Sequence, residues 1–366
     1  MDQPNRRPSS IPGFDGLKAR DTRGQRDGYE KVIMRISTVI PTYNRAHLVG
    51  RAVESVLSQC LEGDEVIVVD DGSTDNTEEA LKSYAGRIRY VRIPNSGAGA
   101  ARNAGVREAS GDLVAFLDSD DEWMPGKLQM QRALMQARPE LLFAFSNFAI
   151  TDEEETVHRR FLGQWHNDPR PWDVILGAGF RFSTIAPLPA GVEDFTVYVG
   201  DLAVPHMTRF YVLTSSFIVR RVEAGDALHF AEDLPTWEDL ECYGRLALRG
   251  PAAYLDCETT WQHATAADRL TDIRDVRRAD AHLKILQRVW GSDTAFLEQH
   301  GDLYEKAMAQ ARVHRTKCLL RQGETAQARR ELRTLPQAPA LYRMLALLPG
   351  PLMVGFVNAS RVIRRV

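Results

Sequence analysis

The chain has 366 residues, of which 44% are hydrophobic and 26% charged, so it holds enough apolar material for about two globular domains. Its formal net charge of −3 gives no basic footprint for nucleic acid, which excludes that class of partner. The four cysteines (Cys60, Cys242, Cys257 and Cys318) are scattered, so a reducing, cytoplasmic compartment fits best. Residues 1–30 lack the apolar segment of a secretory signal and have the composition of a disordered arm.

Strand-like and helix-like segments alternate between Ile36 and Leu117. Short apolar runs predict strands at Ile36–Ile40, Glu65–Val69, Ile88–Ile93 and Asp112–Leu117. Between them, helical spacing of apolar residues predicts helices at Ala46–Gln59, Asn76–Tyr84 and Ala98–Ala109. This alternation, with its short polar loops, predicts an α/β fold in which helices cover both faces of a mostly parallel sheet.

The fourth predicted strand ends abruptly in three carboxylates, Asp118, Asp120 and Asp121. Ionised carboxylates are costly inside a buried strand, but they are tolerated at its carboxyl end, where open α/β sheets bind ligands. Two carboxylates one residue apart can reach one Mg²⁺ or Mn²⁺ ion, and such an ion suits a diphosphate. The alternative is a solvated turn that caps the helix predicted to begin near Pro125.

Other polar residues also follow predicted strands, and therefore fall at the same edge of the sheet. Tyr43 follows the first strand, Asp70 and Asp71 follow the second, and Asn95 with a glycine-rich loop follows the third. A nucleotide site in such a sheet requires this kind of convergence.

The glycine-rich segment Gly97–Gly105 is not a dinucleotide fingerprint. The third glycine of the G-x-G-x-x-G pattern would fall at Arg102, and the segment follows the third strand instead of the first, so a nicotinamide dehydrogenase is rejected. Its small residues would still let a helix N-terminus approach a ligand closely. Arg102 is then expected to meet a diphosphate or a base edge, because its loop faces the same edge as the carboxylates; the alternative is a surface arginine paired with a neighbouring aspartate.

Four segments together resemble glycosyltransferase family 2. They are Val39-Ile-Pro-Thr-Tyr-Asn-Arg45, Val68-Val-Asp-Asp-Gly-Ser-Thr-Asp75, Asn95-Ser-Gly-Ala-Gly-Ala-Ala-Arg-Asn-Ala-Gly105 and Phe116-Leu-Asp-Ser-Asp-Asp121, in that family's order and spacing. The resemblance implies a GT-A fold, a nucleotide-sugar donor, a divalent metal and inversion at the anomeric carbon.

The same resemblance implies roles for individual residues. It places Pro41 and Tyr43 at the nucleotide, with the tyrosine ring stacked on the base, and Asp71 in a hydrogen bond with that base. Arg102 would help to hold the nucleotide, and Asp118 would contact the ribose or the metal. Asp120 would ligate the metal. Asp70 is a further nucleotide-site candidate, although one member of the Asp70–Asp71 pair could serve only as a turn and helix cap.

The second half is less regular. Apolar runs predict strands at Leu141–Ile150 and Tyr211–Val219 and an edge strand at Ala253–Cys257, and helical spacing follows Leu234 as far as Arg249. Thr151–Phe210 has no readable pattern, and the resemblance makes it the variable acceptor side.

Two acidic residues, Glu238 and Asp239, begin that helical segment. With Thr236 as N-cap, Asp239 would be the acidic member of a capping box. The resemblance instead makes the pair the source of the catalytic base that deprotonates the acceptor, with Asp239 favoured over Glu238. It also implies that His263 is a metal ligand or a diphosphate contact, whereas a lone histidine is more often structural.

The tail is predicted to be helical. Tyr304–Arg321, a turn at Gly323 and Glu324–Leu332 read as a single helical hairpin. Beyond it, an apolar segment precedes Arg361, Arg364 and Arg365, which fits either a helix that covers the core or one that lies on an anionic membrane surface. The predicted domains are a disordered arm (1–34), a GT-A domain (35–270, with a nucleotide-binding half 35–123 and an acceptor half 124–270) and a helical region (271–366, with the possible membrane segment 340–366).

The sequence thus predicts a metal-dependent inverting glycosyltransferase. Its donor would be a nucleoside-diphosphate sugar, with UDP as the expected nucleotide, and its acceptor a hydroxyl of a glycan or lipid-linked glycan in cell-surface polysaccharide synthesis. The expected place is the cytoplasm, with the inner-membrane surface as a possible partner. The alternatives are a sugar-phosphate nucleotidyltransferase, which should carry a glycine-rich basic loop after the first strand, and a non-catalytic scaffold with a vestigial transferase domain.

Overall fold

A computed structural model describes residues 33–152, 154–234, 236–263 and 276–359 of the chain. Eleven strands in these residues form one mixed sheet. The strands are β1 (Ile36–Thr42), β2 (Glu65–Asp70), β3 (Arg89–Arg92), β4 (Leu113–Phe116), β5 (Glu122–Trp123), β6 (Phe143–Thr151), β7 (Val157–His158), β8 (Gly179–Arg181), β9 (Thr196–Gly200), β10 (Ile218–Arg220) and β11 (Ala252–His263). Their order across the sheet is β3-β2-β1-β4-β10-β6-β11-β9-β8, with β5 paired to β11 and β7 paired to β6.

Helices connect and cover these strands. They are α1 (Val49–Leu57), α2 (Thr77–Leu81), α3 (Ala98–Glu108), α4 (Lys127–Ala137), α5 (Leu162–His166), α6 (Trp172–Ile175), α7 (Ala203–Thr208), α8 (Arg221–Ala224), α9 (Glu238–Arg249), α10 (Val276–Arg288), α11 (Thr294–Arg321), α12 (Thr325–Leu332), α13 (Ala340–Leu345) and α14 (Gly350–Ala359). None of the helices in the described ranges is both long enough and apolar enough to cross a membrane.

The first four predicted strands are confirmed, and β3, β2, β1 and β4 pair in parallel. Their side chains alternate between two hydrophobic cores: Val39 and Phe116 belong to one core, and Ile40 and Ala115 to the other. Because both of their faces are covered, β2 and β4 read as continuous apolar runs, as buried parallel strands do, whereas the edge strand β3 begins and ends in exposed arginines. The GT-A prediction of a mostly parallel sheet with helices on both faces therefore describes this half.

Two strand predictions in the second half are wrong. The predicted edge strand at Ala253–Cys257 is β11, which extends to His263 and lies inside the sheet between β6 and β9. It is internal because β9 comes from the region Thr151–Phe210, where the sequence predicted no strand. The predicted strand at Tyr211–Val219 is instead a 3₁₀ turn (Thr214–Ser216) followed by the short β10.

Polar contacts explain that turn. The Ser215 hydroxyl donates to Asp121 Oδ2 at 2.5 Å and the Trp123 indole donates to the Ser215 carbonyl oxygen at 2.6 Å. The hydroxyl of Thr260 donates to the same carbonyl at 3.0 Å. A regular strand could not offer its backbone and side chains to the acidic loop in this way, so these contacts override the β propensity of the segment.

The C-terminal helices belong to two packing units. Residues from α10, α11 and the turn between them, including Trp290 and Phe296, complete one core of the sheet, and the Trp290 indole donates to the Ala203 carbonyl at 3.0 Å. The end of α11 packs with α12, α13 and α14 in a separate third core. The predicted hairpin is confirmed, with Gly323 in its turn at φ +79°.

Close packing of α3 on β1 generates a prediction about stability. A Cβ at Gly105 would lie 2.3 Å from Val39 Cγ1, and the branched valine has little freedom to move away. We expect Gly105→Ala to lower the free energy of unfolding by about 1–3 kcal/mol in urea denaturation. Gly163→Ala, at an α5 position with nothing within 4 Å, is the control and should leave stability within about 1 kcal/mol of the parent. An equal effect of the two changes would contradict the packing argument.

Candidate active site

A cavity of about 720 Å³ lies at the carboxyl edge of the parallel strands. Its walls come from the loops after β1, β2, β3 and β4, from the N-termini of α3 and α9, and from residues of the second half. Of the residues predicted for the site, eight line it: Pro41, Tyr43, Asp71, Arg102, Asp118, Asp120, Glu238 and Asp239. Asp70 and His263 are not among the described lining residues.

The loop after β1 presents Tyr43, whose side chain is 44% exposed in the cavity mouth. The next residue, Asn44, has φ +51°, a left-handed conformation that asparagine tolerates better than most residues. Its side-chain oxygen accepts hydrogen bonds from the backbone amides of Thr74 and Asp75 at 2.7 and 3.3 Å. These bonds hold the loops after β1 and β2 together. The exposed ring of Tyr43 offers its aromatic face to a planar ligand.

Asp70 and Asp71 have different surroundings. Asp70 is fully buried and accepts hydrogen bonds from the Ser73 amide at 2.7 Å and the Tyr90 hydroxyl at 2.6 Å. Asp71 lines the cavity, and its two carboxylate oxygens accept from the amides of Ser96 and Gly97 at 2.7 and 2.8 Å. Asp70 thus holds the turn after β2, while Asp71 holds the loop that leads into α3.

Arg102 joins two distant parts of the chain. Its guanidinium donates through Nη2 to Asp118 Oδ1 and through Nη1 to Glu238 Oε1, each at 2.7 Å. The side chain is only 7% exposed, and the group lies 5.4 Å from the centre of the Phe230 ring. A buried guanidinium between two carboxylates fixes both of them, because charge-assisted hydrogen bonds are short and directional. Arg102 therefore sets the distance between the acidic loop after β4 and the start of α9.

Asp239 lies next to this bridge. Its Oδ1 accepts from the Leu240 amide at 2.8 Å, and its Oδ2 accepts from the Thr214 hydroxyl at 3.3 Å. The Tyr243 hydroxyl in turn donates to the Thr214 oxygen at 2.9 Å. Burial raises the pKa of Asp239 to about 6, the neighbouring carboxylate of Glu238 adds to the increase, and Arg102 opposes it. A carboxylate with such a pKa is a competent proton acceptor near neutral pH.

The predicted capping box at Thr236 is wrong. The N-cap of α9 is Trp237, so Asp239 occupies the second helical position and not the third. Trp237 has φ +68°, a strained conformation for a bulky residue. Its ring is held by Phe210 at 4.6 Å between centroids, by the Arg278 guanidinium at 4.4 Å and by His282 at 5.4 Å. Packing against α10 thus holds the backbone that presents Glu238 and Asp239 to the cavity.

The acidic loop after β4 provides oxygen donors for a hard cation. Asp118 and Asp120 both line the cavity, whereas Asp121 accepts a hydrogen bond from Ser215. The described residues contain no cluster of three or more His, Cys, Asp or Glu side chains that would make a complete cage. Mg²⁺ and Mn²⁺ bound to nucleotides use one or two carboxylates and complete their shell with phosphate oxygens and water. Asp118 and Asp120 fit that partial donor set.

His263 lies at the end of β11 beside Glu122. Its Nε2 is 3.6 Å from Glu122 Oε2 and has no hydrogen-bond partner in the described part of the chain. Burial and the nearby guanidinium of Arg51 lower the pKa of the imidazole, which favours the neutral form. His263 is thus next to the acidic loop, while its neighbour Gln262 is the residue that lines the cavity.

The far wall of the cavity was not identified from the sequence. It includes Ile150, near the end of β6, and Phe161 and Trp165 from the segment that had no readable pattern. Trp165 is 41% exposed, and it is the one tryptophan of the six in the chain that is largely open to solvent. Only the concentration of aromatic residues around position 165 could have marked this segment in advance, because no periodicity accompanies it.

This fold, with its carboxylate-lined cavity at the sheet edge, is of the GT-A type. The crystal structure of S. aureus TarS 1-349 in complex with UDP-GlcNAc superposes with a TM-score of 0.53 at 15% sequence identity, covering 86% of this chain and 90% of that chain. The likeness extends beyond the sheet, since it also includes the C-terminal region.

Residues 37–178, less than half of the chain, match the family model for glycosyl transferase family 2. The chain is similar to the putative teichuronic acid biosynthesis glycosyltransferase TuaG of Bacillus subtilis, at 38% identity over 131 residues, 35% of this chain and 52% of the relative. It is also similar to an enzyme of Escherichia coli, UDP-Glc:alpha-D-GlcNAc-diphosphoundecaprenol beta-1,3-glucosyltransferase WfgD. That identity is 36% over 124 residues, 33% of this chain and 49% of the relative.

The matched region is limited in extent. The chain spans about half the length of these two relatives, and it spans 18% of an uncharacterised glycosyltransferase of Rickettsia bellii, to which it is 39% identical over 122 residues, 33% of this chain. The family-model match covers the four motifs at the carboxyl edge of the parallel strands, and α9 with Glu238 and Asp239 lies outside it.

The raised pKa of Asp239 predicts a pH-dependent effect on stability. An unfolded aspartate has a pKa near 3.9, so between about pH 4 and pH 6 the folded protein binds more protons at this group than the unfolded chain does. The contribution of Asp239 to stability therefore falls as the pH rises through this window. We expect Asp239→Asn to be more stable than the parent at pH 8, with the gain largely lost at pH 4.

Urea denaturation at both pH values measures this difference. Asp226→Asn, on the exposed surface, is the matched control and should give the same difference from the parent at both. A stability gain of Asp239→Asn that is equal at pH 4 and pH 8 would show that the carboxyl titrates normally.

Proposed function

We propose that the protein is a metal-dependent, inverting glycosyltransferase that moves a sugar from a nucleoside diphosphate to an acceptor hydroxyl. The observation that carries this proposal is the Arg102 bridge, which brings Asp118 and Glu238 within 2.7 Å of one guanidinium at the cavity wall. The bridge joins the nucleotide motifs of the family to an acidic pair on α9, in a cavity of about 720 Å³. That volume is within the range of small-molecule sites.

The donor half of the cavity supplies the nucleotide contacts. Tyr43 offers an aromatic face on which the base can stack. Asp71 holds the loop that leads into α3 through its hydrogen bonds with the amides of Ser96 and Gly97. The N-terminus of α3 lies at the cavity through Gly97 and Ala98, and the positive end of the helix dipole favours an anionic group such as a diphosphate. Asp118 and Asp120 would hold the metal. A bound Mg²⁺ or Mn²⁺ would neutralise charge that develops on the leaving diphosphate.

Asp239 acts as the base in this proposal. The acceptor hydroxyl gives its proton to the carboxylate while its oxygen forms a bond to the anomeric carbon. The bond between that carbon and the diphosphate oxygen breaks, and its electron pair leaves with the nucleoside diphosphate. One displacement from the face opposite the leaving group inverts the configuration, and no covalent enzyme intermediate is needed. Glu238 is committed to Arg102, which is why Asp239 is the better candidate.

The donor and acceptor classes are inferred from the relatives. WfgD, by its name, takes UDP-Glc and a GlcNAc-diphosphoundecaprenol acceptor, and TuaG is named for teichuronic acid biosynthesis. We therefore infer a UDP-linked hexose as donor and a lipid-linked glycan of a cell-surface polysaccharide as acceptor. The chain has four free cysteines among the described residues, which fits action on the reducing, cytoplasmic side of a membrane. The family match favours this activity over a nucleotidyltransferase.

The donor side is tested with UDP and a panel of UDP-sugars, with and without Mn²⁺. We expect metal-dependent binding in calorimetry and slow hydrolysis of one donor. Asp120→Ala should weaken Mn²⁺-dependent binding at least tenfold and lower turnover by about 10² or more, because metal-ion stabilisation of the leaving group is lost. Asp226→Asn, on the surface away from the cavity lining, is the control for general damage. Full metal-dependent transfer by Asp120→Ala would overturn the proposed metal site.

The acceptor side is tested at Trp165. A sugar ring can lie with its C–H face on the electron-rich face of an indole, and Gln262 and Thr236 are nearby cavity residues able to bond its hydroxyls. We expect Trp165→Ala to raise the KM for a GlcNAc-diphosphate acceptor about tenfold, which corresponds to about 1.4 kcal/mol. Donor hydrolysis should not change, and Trp165→Phe should retain most of the affinity. An unchanged acceptor KM in Trp165→Ala would show that this wall of the cavity does not bind the acceptor.

A further inference from the structure

We propose that the segment Leu341–Leu352 docks on an anionic lipid surface. The segment includes α13, the turn after it and the start of α14. Four of the twelve large hydrophobic side chains that are exposed in the described residues lie in it: Leu341 at 42%, Met344 at 67%, Leu347 at 72% and Leu352 at 63%. These four residues form what we call the apolar patch.

The apolar patch lies on α13, α14 and the turn between them, whose other side is buried in the protein. Tyr342, Leu345, Ala346 and Met353 are buried in the third hydrophobic core, together with residues from α11 and α12. The segment therefore carries large apolar side chains on both sides, although only one side has protein to pack against among the described residues. Four large apolar side chains exposed within twelve residues favour a second apolar environment, because such exposure is unfavourable in water.

Charge indicates which environment this is. Residues 332–366 contain five arginines and no aspartate, glutamate or lysine, although the whole chain has a net charge of −3. Two of the five are Arg333, which precedes α13, and Arg343, which lies in α13 and donates to the carbonyl oxygens of Leu332 and Leu335 at 2.9 and 2.7 Å. The other three follow α14 in the sequence. Exposed aliphatic side chains in a part of the sequence that has five arginines and no acidic residue match the interface of an anionic bilayer, in which tails and phosphates lie close together.

A second protein is a weaker match for the same surface. Protein interfaces gain most from aromatic anchors in well-packed pockets, whereas the patch consists of three leucines and a methionine. Its four side chains lie on two short helical elements and the turn between them, an arrangement that inserts at shallow depth without a complementary shape. Lipid contact also does not depend on the proposed catalytic activity, so either proposal can fail alone.

The test is co-sedimentation of the full chain with two kinds of vesicle, one of phosphatidylcholine alone and one containing phosphatidylglycerol. We expect binding to the anionic vesicles that is at least tenfold tighter than to the neutral ones, and that weakens as salt is raised. The triple variant Met344→Asp, Leu347→Asp and Leu352→Asp should lose at least tenfold in affinity for anionic vesicles. Because the three positions are exposed, we expect the variant to remain folded, and a urea transition equal to that of the parent would verify this.

Val222→Asp is the matched control, because Val222 is 70% exposed but lies in α8, outside the patch. It should bind vesicles as the parent does. Equal loss in this control and in the triple variant would attribute binding to general charge, and would overturn the proposal. Absence of vesicle binding by the parent would overturn it as well. Self-association of the parent in the absence of vesicles, abolished in the triple variant, would assign the patch to a second copy of the chain instead.

Discussion

A single buried guanidinium sets the geometry on which the candidate site depends. Arg102 is nearly inaccessible to water and donates hydrogen bonds to Asp118 and Glu238, which are 16 and 136 positions away in the chain. Removing a charge from water is costly, and only close, well-directed partners offset the cost. The bridge therefore requires the parallel half of the sheet and the start of α9 to keep one relative position. Asp239, the next residue after Glu238, is placed by the same requirement.

A second constraint comes from the C-terminal helices. Trp237 adopts a left-handed backbone conformation, which costs on the order of 1–3 kcal/mol for a residue of its kind. The ring is surrounded by Phe210, Arg278 and His282, two of which are on α10. The helices after the sheet thus do more than cover it, because α10 holds Trp237, the residue that directly precedes Glu238 and Asp239. This packing gives the C-terminal region a part in the site although it supplies no lining residue in the described chain.

The sequence predicted the parallel half of the sheet well because its signals are local. The strands are short, each is followed by polar residues, and parallel strands bring those ends to one edge, so Tyr43, Asp71 and Asp118 could be placed together from the sequence alone. Two strand predictions in the second half failed because that structure depends on contacts between residues far apart in the sequence. Whether β11 is an edge strand depends on β9, which pairs with it from more than fifty residues away. Similarly, the turn at Thr214–Ser216 depends on Asp121 and Trp123.

Individual roles within the site were harder to predict than its location. Asp70 and Asp71 are adjacent and chemically identical, and only burial separates the one that holds a turn from the one that faces the cavity. Arg102 was correctly expected to be near the carboxylates, but the sequence could not indicate that it joins two of them. The arginine is a rigid fork with several donors, so it can still offer a remaining N–H to a phosphate. If it left the bridge, the half-buried carboxylates of Asp118 and Glu238 would lose the positive charge that they share. Any ligand that binds here must therefore fit around this fixed arginine.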